Sequence, residues 1–319
     1  MNNEHISGNI RDNRIQSGLL IFGMICVMAL IGFLLGQVIG MVIAIAVCLA
    51  VILFGPRVSP QLVLKMYKAQ EIPRASSPQL FDLFTEIVRR AELPTEPKLY
   101  YVPSRTLNAF AVGHQDNAAV AITDGLLRIL NAREVAGVLA HEVSHIRHRD
   151  MRVLGIADSV SRLTGTIAQI GQMMLLVAVP SLLLSGSYLF LIGALLLISA
   201  PMMTNLMQLA LSRAREFNAD LGAVALTGDS IGLASALKKL ERATSGGGFP
   251  WVFAGKKKQS VPAMLRTHPP TEERVRRILE AGESLTPQSI PATSPRRLAP
   301  QQYPRVRRGP RWHVAGLWY

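Results

Sequence analysis

Cysteine is almost missing from this 319-residue chain. Cys26 and Cys48 are the only two, which excludes a disulfide framework or a cysteine-built metal site. Charge is missing from two long stretches: Ile15 to Pro56 contains no Asp, Glu, Lys or Arg, and neither does Leu163 to Ser212. The first run is twice the ~20 residues that one membrane span needs, and both cysteines lie in it as lipid-side or helix-packing residues. Acid is short relative to base, 21 residues against 34, giving a formal net charge of +13, and the mean hydropathy is +0.27. Soluble domains rarely combine apolar and basic composition in this way; membrane spans with basic flanks do. No small-residue cleavage site stands out, and the early sequence carries Glu4 and Asp12 with few arginines. Neither a cleavable signal peptide nor a mitochondrial presequence is expected.

Each uncharged run reads as a helical hairpin. In the first, Gly32, Gly36, Gln37 and Gly40 mark the weakest helix and leave room for a tight turn; a small-xxx-small helix contact is their alternative use. The second breaks around Ser185-Gly186-Ser187, and its Pro180 and Pro201 are tolerated inside membrane helices. Arg11 and Arg14 precede the first run, and Arg57, Lys65 and Lys68 follow it. Arg149, Arg152 and Arg162 precede the second, and Arg213 and Arg215 follow it. Both turns are uncharged, so the positive-inside rule puts the two termini and the polar body in the cytoplasm.

The polar body carries His141-Glu142-Val143-Ser144-His145. Periodicity predicts a helix from Ala132 to about Arg149, with Asn131 as N-cap and Glu134 completing a capping box. A helix advances about 100° per residue, so His141 and His145 project from one face and can share one Zn²⁺. The Glu142 between them is the candidate general base. It falls within the apolar arc of Val135, Val138, Leu139, Val143 and Ile146 rather than on the face of Arg133, Arg147 and Arg149, where a core helix has no structural use for a carboxylate. The competing reading is an ordinary amphipathic helix with two polar-face histidines.

Other segments frame this helix. Ser77-Pro78 opens a helix striped by Leu80, Leu83, Phe84, Ile87 and Val88. Lys98–Val102, Asn108–Val112 and Ala118–Ile122 read as short strands of a small antiparallel sheet. Such a sheet either roofs the active helix or binds an extended peptide along one edge. After the second run, Phe217, Leu221 and Val224 recur at helical spacing, and Glu216 and Asp220 face one way. Glu216 suits a third metal ligand, since His-His-Glu with an open position for water is a catalytic zinc set. Asp220 is placed to accept a ligand histidine's second N–H. Alternatively Glu216 pairs with Arg213 or Arg215 on a solvated face. His268, before a Pro-Pro turn, is either structural or a donor to the oxyanion of an attacked carbonyl. His148 and Asp150 read as helix-end contacts. Ser245 through Gly248 opens a flexible loop containing Lys256, Lys257 and Lys258, and from Leu285 onward the chain reads as a disordered Pro- and Arg-rich tail.

Together these segments resemble the HtpX family of membrane-bound zinc endopeptidases, relatives of the CAAX prenyl endopeptidases. The matching residues are His141 to His145, Ser212-Arg213-Ala214-Arg215-Glu216 with Ala219-Asp220, Asn108-Ala109-Phe110-Ala111, and Thr267 to Arg274. The resemblance runs over roughly residues 15–283; the tail departs from that family's compact end. It implies one zinc ion on His141, His145 and Glu216, Glu142 activating water, Asp220 orienting a ligand, Asn108 to Ala111 holding substrate backbone and His268 assisting the transition state. It also implies a bacterial inner-membrane enzyme that cleaves misfolded or damaged membrane proteins on the cytoplasmic side, in quality control and stress response.

The expected fold is therefore α+β and mostly α-helical: two transmembrane hairpins (15–56 and 163–212) and a gluzincin-like zinc protease domain split between 57–162 and 213–283, with a cytoplasmic N-terminal tail (1–14) and a disordered C-terminal one (284–319). The lipid bilayer and polypeptides are the expected partners; nucleic acid is not, since no element reads bases. Two other functions compete: a membrane scaffold with a structural zinc, and an intramembrane protease. Charges at Arg133, Glu134, Arg147, Arg149 and Asp150 around the motif argue for a water-exposed site over the latter.

Overall fold

A computed structural model describes residues 2–54, 59–186, 188–245 and 271–284. The Lys256–Lys258 turn, His268 and the Pro/Arg-rich tail lie outside the described residues. The chain divides into a helical unit, Asn9–Pro56 with Arg152–Ala214, and a polar unit of Met1–Gly8, Arg57–Met151 and Arg215–Tyr319.

Three helices supply the helical unit: α1 (Asn2–Phe54), α6 (Asp150–Ser185) and α7 (Leu189–Thr227). Gly36 and Gln37 leave helical geometry inside α1, Gln37 with φ 52. Beyond that break the chain returns on itself: a Cβ on Gly32 would run into the Gly40 carbonyl oxygen, and one on Gly40 into that of Gly32. Only glycines allow so close an approach. Met24, Met28, Ile31 and Cys48 from α1 pack with Ala157 and Val160 of α6 and with Leu197, Ala200 and Leu211 of α7. The outside is apolar, with Ile39, Leu176 and Leu184 exposed by 75%, 77% and 88%. Ile15–Phe54, Asp150–Ser185 and Phe190–Thr227 are each long and apolar enough to cross a membrane.

The polar unit is built the other way round. Four strands, β1 (Gln70–Glu71), β2 (Lys98–Val102), β3 (Ala109–Val112) and β4 (Ala119–Thr123), form one sheet in the order β1-β2-β4-β3. The sheet is mixed, which corrects the antiparallel expectation: β2 and β4 are parallel, while β1–β2 and β3–β4 are antiparallel. The cause is a hairpin that inserts its second strand. Gly113, at φ +94, turns β3 back into β4, and Thr123 ties the hairpin base through Oγ1 to Asn108 O at 2.8 Å. β4 thus lies beside β2 and leaves β3 at the sheet edge.

Helices α2 (Pro60–Met66), α3 (Pro78–Ala91), α4 (Asp124–Ile129), α5 (Ala132–Arg147), α8 (Ser230–Ser245) and α9 (Thr271–Ser284) complete the unit. Helix α5 starts where its cap dictates: Asn131 Oδ1 accepts from Glu134 N at 3.0 Å, and Glu134 Oε2 accepts from Asn131 N at 2.9 Å. It packs against α3, α8 and β3. Its Val135, Leu139, Val143 and Ile146 are fully buried, each worth about 1.5–3 kcal/mol of transfer free energy. That burial fixes the rotation of the helix, and so the direction in which His141 and His145 point.

Candidate metal centre

His141 and His145 stand one turn apart on α5 with their Nε2 atoms 3.1 Å from one another. Helix α7 brings Glu216 to the same point. Its Oε2 lies 3.6 Å from His141 Nε2 and its Oε1 3.8 Å from His145 Nε2. One ligand atom from each of the three lies within 4.8 Å of the others. The close crossing of α5 and α7 depends on small residues, since a Cβ at Gly222 would overlap Ser144 Oγ.

Carboxylates stand behind both histidines. His141 Nδ1 is 3.0 Å from Asp220 Oδ1, an ion-pair distance at which the ring N–H is not aligned as a hydrogen bond. His145 Nδ1 is bonded to Asp150 Oδ2 at 2.7 Å. Arginines stand behind the carboxylates. Arg274 of α9 grips Asp220 with Nε and Nη2 at 2.8 and 2.7 Å and reaches Glu216 Oε2 with Nη1 at 3.2 Å. Arg215 donates Nη1 to Asp150 Oδ1 at 3.0 Å. Glu216 therefore sits buried beside Arg274 rather than on a solvated face with Arg213 or Arg215.

Burial works against charge on His141, but Asp220 and Glu216 outweigh it and raise its pKa to about 10. His145 is raised too: burial and its charged neighbour His141 oppose, while Asp150 and Glu216 prevail. Burial alone would raise Asp220; the Arg274 guanidinium holds it below the usual carboxylate range. The cluster thus favours positive charge. Each Nδ1 faces a carboxylate, so both Nε2 atoms are directed inward with a carboxylate oxygen beside them. Two imidazole nitrogens and one carboxylate oxygen form a donor set for zinc or a similar divalent ion, with cation replacing proton.

Glu142 points toward the sheet edge, where its Oε2 accepts from Ala111 N of β3 at 2.9 Å. Within the segment Asn108 to Ala111, this bond brings Ala111 to the motif. The Asn108 backbone is bonded to Thr123, and Phe110 is buried against Tyr67 with ring centroids 4.9 Å apart.

Sequence reasoning missed Asp150, Arg215 and Arg274. Asp150 follows His145 by five residues, off its face of a straight helix; Arg149, at φ 56, breaks the helix and turns it back. Arg215 reads as a charge on a solvated face and Arg274 only as part of a motif; the burial of both is a tertiary fact. Arg274 closes the run from Thr267 that carries the family resemblance, where a signal was present without a role.

A histidine pair one turn apart, a glutamate from a later helix and a second glutamate at a sheet edge, in a chain with membrane-length helices, define an integral membrane metalloprotease. Residues 74–281 match Peptidase family M48, and the chain belongs to that family. Among its relatives, Protease HtpX homolog of Methylibium petroleiphilum is 35% identical over 255 residues, covering 73% of this chain and 83% of the relative. The protein of the same name in Persephonella marina is 38% identical over 241 residues, covering 70% and 81%. That of Aquifex aeolicus is 37% identical over 245 residues, covering 73% and 81%.

Proposed function

We propose that the chain is a zinc endopeptidase in which His141, His145 and Glu216 hold the ion and Glu142 is the general base. The observation that carries this is the pairing of Glu142 with Ala111 at 2.9 Å, which joins the base to a sheet edge on the helix that bears both histidines. Zinc held by His141, His145 and Glu216 would supply Lewis acidity to the scissile carbonyl and to water. Glu142, with Oε2 held by Ala111 N–H, takes a proton from the attacking water and returns it to the leaving amine. Asp220 orients His141. His268, outside the described residues, is proposed to donate a hydrogen bond to the developing oxyanion.

Substrate backbone adds along β3 at Asn108 to Ala111. In support, the Asn108–Thr123 bonds put Asn108 on the inner, paired side of β3, and alternation turns the backbone groups of Ala109 and the Ala111 carbonyl outward, beside the Ala111 N–H that Glu142 takes. The substrates proposed are misfolded or damaged membrane proteins, cleaved at the cytoplasmic side of the bacterial inner membrane in quality control and stress response. The basic flanks of both apolar runs support that orientation.

The break at Gly36 and the turn at Gly186 support two transmembrane hairpins, 15–56 and 163–212. The protease domain is proposed to comprise 57–162 and 213–283, gluzincin-like in its His-His-Glu set, flanked by tails 1–14 and 284–319.

The test compares detergent-purified wild type with Glu142→Gln for metal content and casein cleavage. Near-equal zinc in both, with cleavage reduced about 10²–10⁴-fold in the variant, is the expected result. An active Gln variant sinks the assignment of the base.

A further inference from the structure

The two braces behind the histidines differ in kind. Asp220 and Arg274 act on two ligands at once, because Arg274 also touches Glu216. Asp150 and Arg215 act on His145 alone, and theirs is the shorter contact: 2.7 Å from Asp150 to His145, against 3.0 Å from Asp220 to His141. We propose that Asp150 and Arg215 are positioning residues of the metal centre, a buried pair that sets the tautomer and direction of the His145 ring independently of the Asp220 brace. This rests on the reading of His141, His145 and Glu216 as metal ligands.

An aspartate that opens a helix has an ordinary explanation, as Asp150 opens α6: it caps free N–H groups and complements the helix dipole. Here both carboxylate oxygens are directed elsewhere, Oδ2 to His145 Nδ1 and Oδ1 to Arg215 Nη1. The side chains of Asp150 and Arg215 are only 1% and 8% exposed. A buried ion pair is a poor source of stability, because desolvating both charges offsets most of their attraction. What such a pair provides is direction. With Arg215 holding Oδ1, Oδ2 stays aimed at Nδ1, the proton stays on Nδ1, and Nε2 keeps its lone pair for an ion. Such outer partners of a metal-binding histidine fix its tautomer and orientation.

The backbone supports the same reading. Arg149 adopts φ 56 between α5 and α6, a conformation uncommon outside glycine, and this turn carries Asp150 back toward His145. Gln115 holds the turn from both sides. It accepts from Arg149 Nε and donates to the Arg147 carbonyl, each at 2.8 Å. A glycine at 149 would ease the turn, but it would forfeit the guanidinium that Gln115 holds.

The test uses the full chain in detergent and compares wild type, the double variant Asp150→Asn/Arg215→Gln, and His145→Ala. The double substitution removes both partners of the ion pair together, so neither is left as a lone buried charge. Zinc affinity is measured by chelator competition, Co²⁺ loading by visible absorption, and the fold by the thermal transition of the metal-free protein. The double variant is expected to keep its transition, bind zinc about 10–100-fold more weakly, and show an altered Co²⁺ spectrum. A double variant that binds zinc as tightly as wild type with an unchanged Co²⁺ spectrum, while His145→Ala loses zinc, overturns the brace alone. His145→Ala binding like wild type overturns the ligand reading beneath it. If the double variant does not fold, Arg215→Lys carries the same test: it keeps a cation but loses the planar fork, and weaker zinc binding supports the brace while wild-type binding overturns it.

Discussion

In the polar unit Leu80, Phe84, Leu139 and Val143 are inside and Arg74 and Arg89 outside; in the helical unit Ile39, Leu176 and Leu184 are outside and Ser17, Thr164 and Thr204 inside. The buried polar groups differ as well. The polar unit buries whole charges and pairs them: Asp220 with Arg274, Asp150 with Arg215, Glu134 with Lys239. Among the described residues of the helical unit, the named buried polar groups are hydroxyls, such as Thr164 and Thr204, whose Oγ1 atoms are 2.8 Å apart. The lesson concerns solvent. A chain facing hydrocarbon can expose leucine and satisfies its few inner hydroxyls locally. A chain facing water hides its leucines and can hold buried charge only where a built network meets it.

That contrast can be broken by substitution, most severely at the network. Arg274→Met leaves Asp220 and Glu216 buried without their shared cation. The polar unit should lose about 3–5 kcal/mol, the usual effect of removing one partner of a buried ion pair, read as a lower denaturation midpoint of the metal-free protein. A wild-type midpoint would mean that the carboxylates are hydrated or protonated instead. Next comes a paired test on two exposed apolar residues. Leu176 and Ile231 are 77% and 65% exposed. Leu176→Arg in α6 should cost about 2.5–3.5 kcal/mol of membrane insertion, seen as a smaller membrane-integrated fraction. Ile231→Arg in α8 should change stability by no more than about 0.5 kcal/mol. Equal effects at both positions would erase the difference in solvent between the units.

A smaller effect is expected at the helix crossing. Gly222→Ala places a methyl group against Ser144, and overpacking of this kind costs about 1–3 kcal/mol. Because it pushes α7 from α5, metal affinity should fall with it, whereas a change in stability alone would separate the crossing from the cluster. The smallest belongs to the helical unit. Thr204→Val removes one hydroxyl of the Thr164 pair and should cost about 0.6 kcal/mol, the average for such bonds in membranes, measured by a double-mutant cycle with Thr164→Val. A cost several times larger would mean that this unit, too, depends on a polar network.

Local features were legible in the sequence. Helix α5, its Asn131–Glu134 capping box and the weak point near Gly36 follow from spacing, caps and glycine, all within a few residues. The approach of Glu216 to the two histidines was suggested by its spacing with Asp220, since a shared face needs no knowledge of the rest of the fold. Strand order was not legible, because whether β4 lies beside β2 or only beside β3 depends on where a hairpin docks. The two-residue β1 has no period to detect. The pairings of Asp150, Arg215 and Arg274 were hidden because charge reads as solvent exposure until the fold buries it. His268 lies outside the described residues.

The two parts of the metal centre are also made at different times. His145 and Glu216 are separated by all of α6 and the first two-thirds of α7, and Arg274 comes later still. At a synthesis rate of roughly 5–20 residues per second, about 70 residues take on the order of ten seconds. A nascent chain therefore displays the histidine pair before it owns the glutamate, and α6 and the larger part of α7 are made in between. On the proposed assignment of the ligands, peptide-cleaving chemistry cannot be assembled until those two helices exist, and the growing protein is spared its own active site.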